Sequence, residues 1–91
     1  MTPSAGEVRA ALHEAIGDVA PEVDLREIRA DRPFREQAEL DSFDFLRVLA
    51  LLEQRLGVRV PEADYHRFAT LDGAVACLVE RLARPGSPPS P

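Results

Sequence analysis

Residues 41–56 hold more apolar surface than one face of a helix in a small bundle can bury. The run is Asp41-Ser42-Phe43-Asp44-Phe45-Leu46-Arg47-Val48-Leu49-Ala50-Leu51-Leu52-Glu53, continuing to Leu56 before Gly57. At about 100° per residue, Phe45, Val48, Leu49, Leu52 and Leu56 share one arc and make an adequate core face. Phe43, Leu46 and Ala50, at i, i+3 and i+7, form a second stripe well away from the first. Gly57 supplies the C-terminal stop. Two readings of the second stripe stand side by side. Either the long segment from Glu22 to Leu40 folds over it, through Phe34, or it is a docking face for a partner. In the docking reading Asp44, Arg47, Glu53 and the nearby Glu39, Asp41, Glu62 and Asp64 supply a charged rim.

Two further segments carry helical periodicity. Ser4 and Glu7 stand in capping-box spacing, and Val8, Leu12, Ile16 and Val19 follow on one face with Ala11 and Ala15. Pro21 closes that helix. Thr70 is a good N-cap for the last helix, with Asp72 in its first turn and Leu71, Ala74, Val75, Leu78 and Leu82 on its apolar face. Glu62 to Phe68 reads as a brief helix or turn. The segment from Glu22 to Leu40 reads as a packed loop in which Asp24 and Glu27 cap one short turn. The fold expected is all-α: a small antiparallel bundle of three main helices plus one short helix. It should occupy residues 1–83 as one domain, with 84–91 a disordered Pro/Ser-rich tail.

Composition narrows the function. Sixteen acidic against eleven basic residues give a net charge of −5, which argues against binding nucleic acid. All eleven basic residues are Arg, so a Lys Schiff base is excluded. Cys77 is the one cysteine, which rules out an intramolecular disulfide and suits an inert buried thiol. His13 and His66 lack partners at metal-ligand spacing, so no metal site is expected. No secretory leader or bilayer-crossing run is legible, and a cytoplasmic monomer away from membranes is expected. A chain this small has little core to spare for a deep active site, so no enzyme is expected.

Ser42 opens the two-striped helix. From position alone it is a helix cap. Alternatively it is a modified hydroxyl, because a phosphate ester there would face the free N–H groups and positive end of the helix dipole. A hydrolase nucleophile fits poorly: both histidines are distant in sequence and no G-x-S-x-G elbow is present.

The ordered set Leu40-Asp41-Ser42-Phe43-Asp44, Leu52-Glu53, Gly57-Val58-Arg59-Val60-Pro61, Asp64 and Thr70-Leu71 resembles the acyl carrier proteins, the phosphopantetheine-binding carriers of fatty-acid and polyketide-type pathways. The resemblance runs from about Val8 to Leu82. It implies that a phosphopantetheinyl transferase attaches a 4′-phosphopantetheine arm, taken from coenzyme A, to Ser42 beside Asp41. The arm's thiol would carry an acyl or polyketide-type group as a thioester to acyl-loading and acyl-processing enzymes. It also implies that Phe43, Asp44, Leu46, Arg47, Ala50, Glu53, Glu62, Asp64 and Tyr65 face those partners. Three positions depart from the common pattern. Glu39 replaces a frequent Gly, Phe43 a Leu or Met, and Arg47 an acidic residue, which points to a specialised rather than a housekeeping carrier. An aminoacyl, peptidyl or D-alanyl carrier, or an unmodified helical adaptor, is the alternative; the missing Gly-Gly-x-Ser lead-in disfavours the peptidyl type.

Overall fold

Ser4 and Glu7 form a reciprocal capping box, each backbone N–H donating to the other's side chain at 3.1 Å. This fixes the start of α1 (Ala5–Val19), whose Val8, Leu12, Ala15 and Ile16 are buried. The computed structural model describes residues 3–83. The tail expected at 84–91 lies outside the described residues. α1 packs along both α3 (Ser42–Leu56) and α4 (Leu71–Leu82). Each fully buried Leu or Ile in this packing, such as Leu12, Ile16, Leu52 and Leu78, contributes about 1.5–3 kcal/mol of apolar burial. No polar or charged residue is buried among the described residues.

Three main helices are therefore present as the periodicity predicts, and the minor element at Glu62–Phe68 is a 3₁₀ helix. Asp24 does cap a 3₁₀ turn, at Leu25–Glu27, through its carboxylate on the Arg26 N–H at 3.0 Å. One element has no periodicity to announce it: the single-turn α2 (Phe34–Gln37). Gln37 makes it possible by gathering the preceding loop. Its amide N–H groups donate to the carbonyls of Arg29, Arg32 and Pro33 at 3.0–3.2 Å, while its Oε1 accepts the Arg29 N–H at 2.7 Å. The Asp72 N–H to Ala30 O bond (3.0 Å) and the Phe34 N–H to Ala69 O bond (3.1 Å) fasten the loop to the start of α4.

α2 ends in a Schellman arrangement, with Leu40 N–H on Arg35 O at 2.8 Å and Glu39 N–H on Glu36 O at 3.4 Å. Glu39 there adopts φ 54°, the left-handed conformation usually left to glycine. The turn drops Leu40 into the core and delivers the chain to Asp41. Phe34 is fully buried against Phe45, their ring centroids 6.3 Å apart. The loop thus covers the core face of α3. It leaves the second stripe bare: Phe43 is 79% exposed and Leu46 47% exposed. The covering role considered for Phe34 is not what the fold shows.

Candidate functional site

The start of α3 is built on two adjacent cap-competent residues, and the structure chooses the first. Asp41 has extended dihedrals, and its Oδ1 accepts the Asp44 N–H at 2.8 Å. Its carbonyl accepts the first intrahelical bond, from Phe45 N–H at 3.0 Å. Leu40 and Phe45, the positions of a hydrophobic staple, are both buried around this turn. Ser42 is therefore the first helical residue and not the cap expected from its position. Its exposed hydroxyl enters no hydrogen bond among the described residues. The helix dipole and unbonded first-turn N–H groups favour an anion beside it.

Phe43, Leu46, Arg47 and Ala50 continue along the exposed side of α3, with Asp44 half-buried between them. Arg47 takes part in no ion pair among the described residues. Beside Ser42 lies a cavity of about 820 Å³, open to solvent. Ser42, Phe45, Leu46, Glu62, Tyr65 and Phe68 line it, together with Arg35 and Leu40 from the turn before α3. The half-buried Tyr65 stands edge-on to Phe45, with centroids 6.0 Å apart. The 62–68 segment that carries Tyr65 sits close to α4 because Gly73 lacks a side chain. A Cβ at Gly73 would meet Arg67 O at 2.4 Å.

The structure thus gathers Ser42, Leu46, Glu62 and Tyr65 around one opening and sets the rest of the sequence-derived group apart. Asp64 turns toward α4, where its Oδ2 accepts from Arg81 Nε at 3.0 Å and Nη2 at 2.6 Å. That bonding holds its carboxyl below the usual carboxylate range. Glu53 reaches past the end of α3 to accept the Val60 N–H at 2.8 Å, tying down the 57–60 connector. Cys77 is fully buried, and burial pushes its thiol up, in keeping with an inert side chain. Burial, aided by Arg9, lowers His13. No group of His, Cys, Asp or Glu among the described residues is arranged to hold a metal ion. Arg35 escaped sequence reasoning. It follows an aromatic residue in a segment without periodicity, and only the fold brings its guanidinium over the Phe45 ring, 5.1 Å from the centroid.

A helical bundle that offers an unengaged serine hydroxyl at a helix start, beside an open cavity and a bare apolar stripe, has the makings of a carrier. The family model described as the phosphopantetheine attachment site matches residues 9–78. The chain belongs to that family, the acyl carrier proteins. It is similar to an "Acyl carrier protein" of Rubrobacter xylanophilus, 33% identical over 58 residues that cover 64% of this chain and 72% of the relative. It is also similar to "Polyketide-8 synthase acyl carrier protein 2" of Streptomyces avermitilis, 32% identical over 78% of this chain and 80% of the relative. A third relative, an "Acyl carrier protein" of Acidothermus cellulolyticus, is 27% identical over 82% and 88%. No solved structure matches significantly. Members of this family are carriers rather than catalysts, served by a phosphopantetheinyl transferase and by synthase enzymes. Their group is covalently attached 4′-phosphopantetheine. No helix among the described residues is long and apolar enough to cross a membrane.

Proposed function

We propose that Ser42 carries the 4′-phosphopantetheine arm and that this chain serves a specialised, polyketide-type pathway. The observation that carries the attachment is the Ser42 hydroxyl itself, exposed and unbonded at the first position of α3 while Asp41 supplies the cap. A serine needed for capping would have its oxygen engaged; this one is spare. The residues present suit the group. A phosphodiester on Ser42 would stand off the positive end of the helix, and the arm beyond it would have both open solvent and the neighbouring cavity. When bound, the group supplies a terminal thiol that holds an acyl chain as a thioester.

The chain's own residues then present that cargo. Phe43 beside the arm and Leu46 one turn on offer apolar anchors, and Asp44, Glu62 and the net charge of −5 offer an acidic surround for a basic partner. Arg47 is the local exception: it repels a cationic patch and so favours dedicated enzymes over those that read a uniformly acidic helix. The polyketide synthase carrier among the relatives supports the same reading. Incubation with coenzyme A, magnesium and a broad-specificity phosphopantetheinyl transferase, followed by intact mass measurement, tests the attachment. One arm's mass should be gained by the native chain and none by Ser42→Ala. No gain, or an equal gain in the variant, overturns the assignment.

A further inference from the structure

Arg35 stands in the wall of the cavity beside the apolar Leu40, Phe45, Leu46 and Phe68, and the same wall also holds Glu36, Glu62 and His66. It lines the opening beside Ser42, its guanidinium lies over the face of Phe45, and it joins no ion pair among the described residues. Its Nε is shielded from solvent and donates to nothing. A buried N–H without an acceptor carries a desolvation cost, only partly offset by the ring beneath it. The half-buried Tyr65, itself against Phe45, lines the same cavity. The charged fork therefore rests on a rigid aromatic floor, with a donor to spare, where a chain tethered nearby would lie.

Resting on the attachment at Ser42, we infer that Arg35 selects cargo. The cavity takes an acyl chain that carries a keto oxygen along its length in preference to a saturated one. The guanidinium tilts from Phe45 to donate to that oxygen. A saturated chain would leave the same donor unsatisfied and bury methylenes against a cation. The discrimination therefore works through both the hydrogen bond made to the right cargo and the cost of the wrong one. Carbonyl oxygens have two sources at this place, the acyl group and the amides of the arm. Acylated and unacylated forms of the protein separate them.

The test loads the chain from coenzyme A thioesters of octanoate, 5-oxooctanoate and 7-oxooctanoate. Intact mass confirms loading. Thioester cleavage by hydroxylamine is then timed, each rate normalised to the same free acyl-coenzyme A. At least one keto chain should be protected about tenfold better than octanoyl, the size expected of a hydrogen bond to a charged donor. The Arg35 Nε–H resonance should move with that keto cargo and stay in place for the unacylated arm. Arg35→Met should load equally and lose the preference. Arg35→Lys, which keeps the charge without the fork, should restore little of it. Equal protection of all three chains in the native protein overturns the inference, as does a preference that survives Arg35→Met. A resonance already shifted by the bare arm assigns the donor to the arm and overturns cargo selection. Should either variant fail to fold, the native protein's protection ratios and resonance decide alone. A missing mass gain overturns the Ser42 assignment and this inference with it, whereas loading without preference overturns this inference only.

Discussion

The carboxylate of Asp41 accepts the Asp44 N–H at 2.8 Å, and so frees Ser42 from holding the helix it begins. Stability and the proposed modification thereby fall to different neighbours. Asp41→Ala should cost about 1 kcal/mol in urea denaturation, the usual loss of an N-cap. Ser42→Ala should cost less than about 0.5 kcal/mol while abolishing the mass gain, since an exposed first-turn residue adapts readily to Ala. The reverse ranking would make Ser42 the structural residue.

The bare stripe of α3 calls for the same separation of effects. Phe43 is 79% exposed, so little burial is lost when it is truncated, whereas Leu46 is 47% exposed and also lines the cavity. Phe43→Ala should change stability by less than about 0.5 kcal/mol, and Leu46→Ala by about 1 kcal/mol. Acyl transfer from a cognate synthase enzyme should nonetheless slow tenfold or more, the scale of an interface anchor of about 1.4 kcal/mol. The comparison needs transfer rates and denaturation midpoints on the same preparations; a dominant loss of stability would return these side chains to the core.

The three long helices were legible because each repeats an apolar face over twelve or more residues and begins at a capping side chain. α2 was not, since Phe34-Arg35-Glu36-Gln37 is too short to show a period, and what stabilises it is remote: Gln37 on three loop carbonyls and Phe34 on Phe45. The cap of α3 was ambiguous for a local reason. Asp41 and Ser42 are both competent, and the acidic Asp44 three residues after Asp41, with Leu40 and Phe45 as its staple, was the signal favouring Asp41. The second apolar stripe could be read from spacing, but its freedom from Phe34 could not. Asp64 and Glu53 read as surface charge. Their partners, Arg81 and the Val60 N–H, are fixed by tertiary packing and by a chain reversal that composition does not encode.

Two left-handed residues make opposite predictions. Gly57 ends α3 at φ 64°, with open space where a Cβ would stand, so Gly57→Ala should cost about 1 kcal/mol from backbone conformation alone. Glu39 holds φ 54° at the end of α2 without that freedom. Relieving it is worth about 1–2 kcal/mol, less the roughly 0.4–1 kcal/mol of extra freedom a glycine gives the unfolded chain. Glu39→Gly should therefore stabilise the protein by about 0.5–1 kcal/mol, read as a rise in denaturation midpoint at unchanged slope.

The pair of Asp64 and Arg81 gives the fold a defined acid dependence. Arg81 bonds the carboxylate at 2.6 Å and holds its pKa below the ordinary 3.8. The side chains are only 22% and 28% exposed, so salt screens this pair less than the outer ones. Around pH 3.8 the unfolded chain takes up the proton more readily than the folded one. The stabilisation is thus complete above that value and is lost as pH falls through the lower folded value. Asp64→Asn should be less stable than the native protein by about 1 kcal/mol at neutral pH. The gap should hold constant down to about pH 5 and close progressively below 3.8. Asp24 and Asp31 are also held low, by Arg26 and Arg29, but they titrate identically in both proteins and cancel from the difference. Paired denaturation curves across pH 2.5–7, a window of roughly the carboxylate range, measure it; a gap that persists undiminished at the acid end would show that packing, not charge, ties Asp64 to α4.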